Sequence, residues 1–193
     1  MQPFASPPQV TFDIADGRIA GIPDERLRRL AQYWFARRDT DGIVPRSAID
    51  PLDFPALLPN TMLLERIGQL PEERYRFRLA GTDVVHLVGR ELTGKHIDEL
   101  LPEPYHSYVR MLNRTALERR LPVYTSSLYH DQGNFVNGIT YRLVMPIASQ
   151  PEIAPDIIFA CQYWQRREDQ HGHWTGDWRR AIPEIRLIAA DPS

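Results

Sequence analysis

Histidines close to carboxylates are the residues of this sequence best suited to acid–base chemistry or metal binding. They form three groups: His96 with Asp98, His130 with Asp131, and His171 and His173 with Glu168, Asp169 and Asp177. A protein zinc site needs three or four ligands in a defined arrangement, and no group brings a complete set with it. The glycine-rich phosphate loop, the G-x-S-x-G motif and the H-E-x-x-H motif are all absent. We therefore expect no metal site and no catalytic residues, and a protein that acts by binding.

Cys161 is the only cysteine among 193 residues, so an internal disulfide and a zinc site built from several thiolates are both excluded. It alternates in phase with Ile157, Phe159 and Tyr163 along a predicted strand. This phase favours a small buried apolar side chain over a reactive thiol. A lone free cysteine also suits a reducing compartment, and we expect a cytoplasmic location.

The charge pattern gives no indication of a polyanionic partner. The net charge is -2 and the pI is about 6.3, so no long-range field attracts nucleic acid or anionic lipid. A cluster of arginines lies near residues 26–38, but acidic residues at 24, 25, 39 and 41 balance it, as on a solvated helix face. No signal peptide and no apolar stretch of about 18 residues is present. We expect neither a nucleic-acid nor a membrane partner.

Among the secondary-structure elements that position these residues, the one at residues 24–38 has the clearest sequence pattern. Leu27, Leu30, Trp34 and Phe35 recur at helical spacing, which predicts an amphipathic N-terminal helix. Four prolines between residues 43 and 59 exclude a long helix there and indicate a connector over the surface. Residues 1–22 are interpreted as a short hairpin or a disordered arm.

Five strands are predicted at residues 62–67, 75–80, 123–130, 138–147 and 156–164, with helices at 82–88 and 104–119 inserted after the second strand. Short loops between consecutive strands imply antiparallel pairing. A sheet with one wet face then needs helices on its other face. We predict an α+β chain divided into 1–22 (arm), 23–60 (helix and connector), 61–165 (core) and 166–193, a loose appendage able to dock on the core or on a neighbour.

Three short motifs in this core carry a family resemblance. Residues 75–82 (YRFRLAGT), 89–95 (GRELTGK) and 98–102 (DELLP) resemble the front half of a PAS sensory domain. Upstream, Trp34 and the motifs at 45–47 (PRS), 49–51 (IDP) and 57–59 (LLP) resemble a bacterial PAS-like subfamily, mostly alphaproteobacterial, of short proteins with unknown ligand. The resemblance covers about residues 26–164.

This resemblance implies a PAS-like five-stranded antiparallel sheet whose helices cover one face and enclose a cavity. It also implies a sensory or regulatory module that acts by binding a small ligand, a protein partner, or both. The pocket-lining candidates are Phe77, Leu79, Val85, Tyr105, Tyr108, Leu112, Tyr141, Leu143, Phe159 and Cys161. The alternative is that most of these side chains only fill a core. Helices that precede PAS sheets often mediate dimers, so Leu27, Leu30, Trp34 and Phe35 are the candidates for a homodimer interface.

The resemblance also brings two cofactors into question. Haem-binding PAS proteins use a helix histidine, and His86 and His106 are each isolated candidates, so we do not expect haem. The Asn-Cys-Arg-Phe-type motif of flavin photosensors is absent, and Cys161 lies in the last predicted strand of the core, so we do not expect photochemical flavin. The second functional hypothesis is a small α+β cone enzyme, isomerase- or lyase-like, in which a cavity carboxylate with a raised pKa works beside Tyr105 or Tyr108.

Overall fold

The computed structural model describes residues 13–69, 72–101, 103, 105–130, 137–166 and 184–192. Within these ranges the strands are β1 (Ala15–Arg18), β2 (Thr61–Ile67), β3 (Arg74–Ala80), β4 (Val123–His130), β5 (Asn137–Ile147), β6 (Ile157–Arg166) and β7 (Glu184–Ala189). They form one sheet in the order β1-β7-β4-β5-β6-β2-β3. All neighbours pair antiparallel except β1 and β7, which are parallel.

The prediction of five strands was therefore incomplete. The five predicted strands are present and antiparallel, but β7 adds to β4 and β1 adds to β7. The C-terminal segment thus contributes a strand to the same sheet as the core. Its pairing partner lies about 60 residues upstream, a separation that local periodicity does not encode.

The α-helices in the described part of the chain are α1 (Glu25–Phe35), α2 (Thr82–Val88), α3 (Ile97–Leu100) and α4 (Tyr105–Arg119). The Asp24 side chain caps α1 by accepting hydrogen bonds from the backbone N–H groups of Arg26 and Leu27. Gly89 ends α2 in the left-handed region at φ 74°, as its position in the sequence predicts. The proline-paced connector contains three 3₁₀ turns, at Arg46–Ala48, Pro51–Asp53 and Pro55–Asn60.

Both faces of the sheet are covered, so the prediction of helices on one face and water on the other was wrong. On one face, which we call the α1 face, Leu27, Leu30 and Trp34 pack against side chains of β5 and β6. On the other, the α4 face, Leu112 and Ala116 pack against the alternate residues of the same two strands. The reason is that α1 and the connector fold back across the sheet and bury the face that was expected to be wet.

A β-bulge in β3 changes which side chains face the α4 face. Leu63 pairs with Leu79 but Leu64 pairs with Phe77, so Arg78 is an extra residue on β3. Beyond the bulge, Leu79 lies opposite Leu63, which packs on the α1 face. Leu79 is consequently 45% exposed at the border of the sheet and does not share the face of Phe77.

Gly81 joins β3 to α2 where the chain touches the connector. A Cβ atom at this position would lie 2.3 Å from the carbonyl oxygens of both Leu58 and Pro59. Only glycine permits this close backbone approach. The connector and the start of α2 are therefore in direct contact.

No helix in the described ranges has the length and apolar character needed to cross a membrane.

Candidate functional site

A cavity of about 140 Å³ lies between the α4 face of the sheet and the segment α2–α4. Side chains from β2, β3, β5, β6 and the helices line it. Its apolar wall includes Met62, Leu64, Phe77, Leu92, Ile97 and Val144. Ala160 lies at its base on β6, where the absence of a longer side chain leaves the space open.

Four polar side chains line the same cavity: Arg142, Gln162, Thr140 and Asn113. Arg142 on β5 is paired in register with Gln162 on β6, and its Nε donates a hydrogen bond of 3.0 Å to Gln162 Oε1. Asn113 projects from α4 and is 2% exposed, and its Nδ2 is buried with no hydrogen-bond partner among the described residues. The wall of the cavity thus combines apolar side chains with hydrogen-bonding groups.

Arg142 has no acidic partner among the described residues. Its described neighbours are the Gln162 amide and, at longer range, the phenol of Tyr108. Burial lowers the pKa of Arg142, because the charged guanidinium has lost part of its hydration. An arginine nevertheless keeps its proton at neutral pH, so a positive charge faces this cavity.

Tyr108 links α4 to the strand row that holds Arg142. Its hydroxyl lies 2.5 Å from the Thr125 hydroxyl, and Thr125 pairs in register with Arg142 across β4 and β5. Burial raises the pKa of Tyr108, and the nearby charge of Arg142 opposes that rise. The phenol is therefore neutral at physiological pH and serves as a hydrogen-bonding group.

A second, larger depression of about 880 Å³ opens between α1, the connector and α2. Arg26 lies over the Tyr163 ring there, with its guanidinium carbon 3.4 Å from the ring centroid, and it pairs with Asp24. This groove shares Val84, Leu87 and Gln162 with the cavity of the α4 face. The groove and the cavity are therefore neighbours whose walls have side chains in common.

The structure divides the ten predicted pocket residues into three sets. Phe77 lines the cavity, while Val85, Tyr108 and Leu112 lie on the α4 face in the core around it. Leu79 and Tyr105 are 45% and 39% exposed and do not enclose the space. Tyr141, Leu143, Phe159 and Cys161 lie on the α1 face, and placing them in the cavity was wrong.

The error came from the alternation of β5, in which the phase of Tyr141 and Leu143 is apolar and the other phase carries Thr140 and Arg142. The apolar phase was assigned to the cavity, but which phase faces it depends on what covers each face of the sheet. The residues in the other phase, Thr140, Arg142 and Gln162, were missed because polar side chains were assigned to water. The available signal was a run of polar residues in phase with Val144 and Ala160, which a buried strand pairing would have placed inside.

Three of the predicted dimer residues are occupied within the chain itself. Leu27, Leu30 and Trp34 are 0–2% exposed, and Trp34 Nε1 donates a 2.9 Å hydrogen bond to the Pro146 carbonyl. Phe35 packs edge-on against the Trp34 ring at 5.0 Å and is partly buried. The interface prediction was wrong for the three buried residues, because they cover the sheet of their own chain.

The histidine and cysteine candidates lie away from the cavity lining. His86 is exposed beside the open groove, and His106 Nδ1 lies 3.1 Å from Glu103 Oε1. Cys161 is fully buried on the α1 face, and burial raises its pKa to about 12. Such a thiol is protonated and unreactive at neutral pH.

The proposed acid–base and metal groups are only partly described. In the described part of the chain, no cluster of three or more His, Cys, Asp or Glu side chains could hold a metal ion. Asp98 is paired with Arg74 at 2.7 Å, close to the cap of α3 at His96. Asp131, Glu168, Asp169, His171, His173 and Asp177 lie outside the described residues, as does the side chain of His130.

Comparison with known proteins identifies the family of this chain. Among solved structures, an RsLOV variant aligns with a TM-score of 0.41 and 17% identity over 63% of this chain and 72% of its own. A fungal LOV domain photoreceptor aligns with a TM-score of 0.40 and 16% identity over 76% of this chain and 95% of its own. No curated protein matches significantly. The sequence model of the PAS domain matches residues 23–162, most of the chain, and the protein therefore belongs to the PAS domain family.

Proposed function

We propose that this protein is a sensory module that binds a small ligand in the cavity of the α4 face. PAS family membership supports a role in signal transduction. The observation that carries ligand binding is the cavity itself, which lies between sheet and helices and is lined by Asn113, whose buried Nδ2 has no hydrogen-bond partner among the described residues. Buried polar groups are normally satisfied, and binding sites are common exceptions.

We also propose that the module is not an enzyme. The competing hypothesis requires a carboxylate in the cavity beside Tyr105 or Tyr108. Among the described lining residues, the ionisable side chain is Arg142, and none is Asp or Glu. The buried acid Glu73 is 2.5 Å from Arg114 and does not line the cavity. These placements support binding over acid–base chemistry.

The contact at Gly81 supports a route from the cavity to the surface. Helix α2 contributes Val84 and Leu87 to the cavity, and its first turn abuts the connector at Leu58 and Pro59. Ligand binding would thus reach the connector and α1 through one packed junction. A protein partner, a second copy of this chain included, would use the exposed side of α1, because its apolar side is buried. Cytoplasmic location and bacterial origin stay predictions.

The test is to fill the cavity and to compare bound material. Ala160→Met places a longer side chain at the base of the cavity, while Ala36→Met makes the same change at an exposed position outside both the cavity and the groove. Native mass spectrometry of the full chain should show a small molecule bound to the wild type and to Ala36→Met but not to Ala160→Met. Circular dichroism of both variants checks that they fold.

A wild-type protein without bound compound would contradict the proposal if a panel of small organic molecules also left its melting temperature unchanged. A bound compound that persists in Ala160→Met would place the site elsewhere, in the open groove.

A further inference from the structure

The positive charge of Arg142 lacks a counter-charge within the described part of the chain. Its described hydrogen bond goes to a neutral amide, Gln162, and its electrostatic neighbour is the neutral phenol of Tyr108. Arg142 is partly buried. Removing part of the hydration of a charge without an opposite charge nearby is costly, and proteins normally pair such groups. An anion beside Arg142 would remove this cost.

The polar groups around this charge leave hydrogen-bond donors free for such an anion. The bond from Arg142 Nε to Gln162 Oε1 fixes the guanidinium plane and leaves the two terminal nitrogens of Arg142 for another acceptor. Asn113 lines the same cavity, and its Nδ2 is buried without a hydrogen-bond partner among the described residues. A guanidinium and an amide in the wall of one cavity match a carboxylate, whose two oxygens accept several hydrogen bonds and pair with arginine in bidentate form.

The other walls of the cavity determine the polarity and size of the part of the ligand beyond its anionic group. Its other walls are aliphatic or aromatic, among them Leu64, Phe77 and Ile97. A cavity of about 140 Å³ is close in size to one that holds a benzene ring, roughly 150 Å³. A phosphate ester would carry up to two negative charges against one guanidinium, whereas a carboxylate carries one.

We propose that the ligand of this PAS cavity is a small organic carboxylate with an apolar body of about six carbons, held by Arg142 and Asn113. This inference rests on the proposed function of the cavity as a ligand site. It adds the chemical class that the cavity selects.

The experiment compares matched probes by isothermal titration calorimetry on the full chain. Benzoate and hexanoate are the charged probes, benzyl alcohol and hexan-1-ol are their neutral counterparts, and acetate tests the charge without the body. The variants are Arg142→Gln and, as control, Arg29→Gln at an exposed position of α1. We expect the wild type and Arg29→Gln to bind the charged probes at least tenfold more tightly than the neutral ones, and Arg142→Gln to lose that preference.

The stability of the ligand-free variant gives a second readout, because Arg142→Gln removes an uncompensated charge. If Arg142 serves a ligand, this variant should melt at or above the wild-type temperature, and benzoate should raise the melting temperature of the wild type only. Asn113→Ala should weaken benzoate binding without affecting benzyl alcohol.

Four results would overturn the inference. Equal binding of charged and neutral probes, or unchanged benzoate binding by Arg142→Gln, would leave a ligand cavity without selection for an anion. A strongly destabilised Arg142→Gln that still binds benzoate would make the arginine structural. Failure of both charged probes to bind the wild type would also overturn the inference. The proposed function is tested separately: it fails if the wild-type protein carries no bound compound and its melting temperature does not change with added small molecules.

Discussion

The two faces of the sheet are made from alternate residues of the same strands, yet they enclose different things. The α1 face is covered by Leu27, Leu30 and Trp34, which pack on large apolar side chains of β5 and β6. The α4 face is also apolar at its centre, but it contains a cavity with Arg142 and Asn113 at its wall. The α1 face is a core bordered by the open groove beside α1. The α4 face combines a core with a recess between sheet and helices.

Adjacent residues on β6 illustrate the division. Cys161 is fully buried on the α1 face, and Gln162, the next residue, lines the cavity and holds Arg142. Successive residues of β6 thus face a stabilising core on the α1 face and a ligand cavity on the α4 face. Changes on the α1 face should therefore affect the free energy of unfolding, and changes in the cavity wall should affect ligand affinity.

The largest expected effect comes from Trp34→Ala, because Trp34 is among the largest fully buried side chains and donates a buried hydrogen bond to Pro146. Its loss should reduce the free energy of unfolding by about 3–5 kcal/mol. Urea denaturation measures this change. Leu52→Ala is the control, since Leu52 is 82% exposed and should leave stability unchanged. Equal stability of the two variants would show that α1 is not required to cover the sheet.

A smaller effect is expected at Gly81, where the connector contacts the start of α2. In Gly81→Ala the new Cβ would clash with the carbonyl oxygens of Leu58 and Pro59, which should cost about 2–3 kcal/mol. Gly89→Ala is the matched change at the other end of α2, where φ is +74° and no atom lies within 4 Å. Its cost should be about 1 kcal/mol, from backbone strain alone.

Thermal and urea unfolding of both glycine variants decide between the two causes. If Gly89→Ala costs as much as Gly81→Ala, close contact between the connector and α2 is not what constrains Gly81.

The smallest effect near neutral pH is expected from Cys161→Ala, and it should grow in alkali. Burial raises the pKa of Cys161 from 9.0 to about 12, so between these values the thiol ionises readily only in the unfolded chain. Its contribution to stability is complete below pH 9 and is lost as the pH rises toward 12. The difference in unfolding free energy between wild type and Cys161→Ala should therefore be constant from pH 6 to about 8 and shift against the wild type above about 9.

The measurement is urea denaturation of both proteins across this pH range, in which the tyrosines common to both cancel. A thiol reagent at pH 8 gives a direct check, because it should modify the unfolded chain and spare the native one. Rapid modification of the native protein would place Cys161 nearer to solvent than the α1 face.

Local signals in the sequence were sufficient for most of the elements. Strand β4 coincides with the prediction at residues 123–130, and the other four core strands differ by one or two residues at an end. Gly94 has the positive φ expected of a tight turn. These features depend on neighbouring residues, which is why periodicity and turn chemistry were enough.

Features that depend on distant contacts were not predictable in this way. The cover of the second face, the strand β7 and the bulge at Arg78 each require knowledge of a partner that is remote in the sequence. For the site, Phe77 was identified by strand alternation alone. Arg142 was missed because it lies in the more polar phase of β5, which the pattern assigns to water. Its position on the cavity side follows only from which elements cover each face of the sheet.

The strand β7 has a practical consequence for any fragment of this protein. It pairs with residues 123–126 of β4, and through Arg186, which donates to the Gly21 carbonyl, it also ties down the segment before α1. A fragment trimmed to the family match at 23–162 would lack β7 and would leave unpaired in water the backbone N–H and C=O groups of β4 that face it. Unprotected strand edges of this kind recruit other chains. Aggregation of such a fragment would therefore reflect a missing strand and would say nothing about natural self-association.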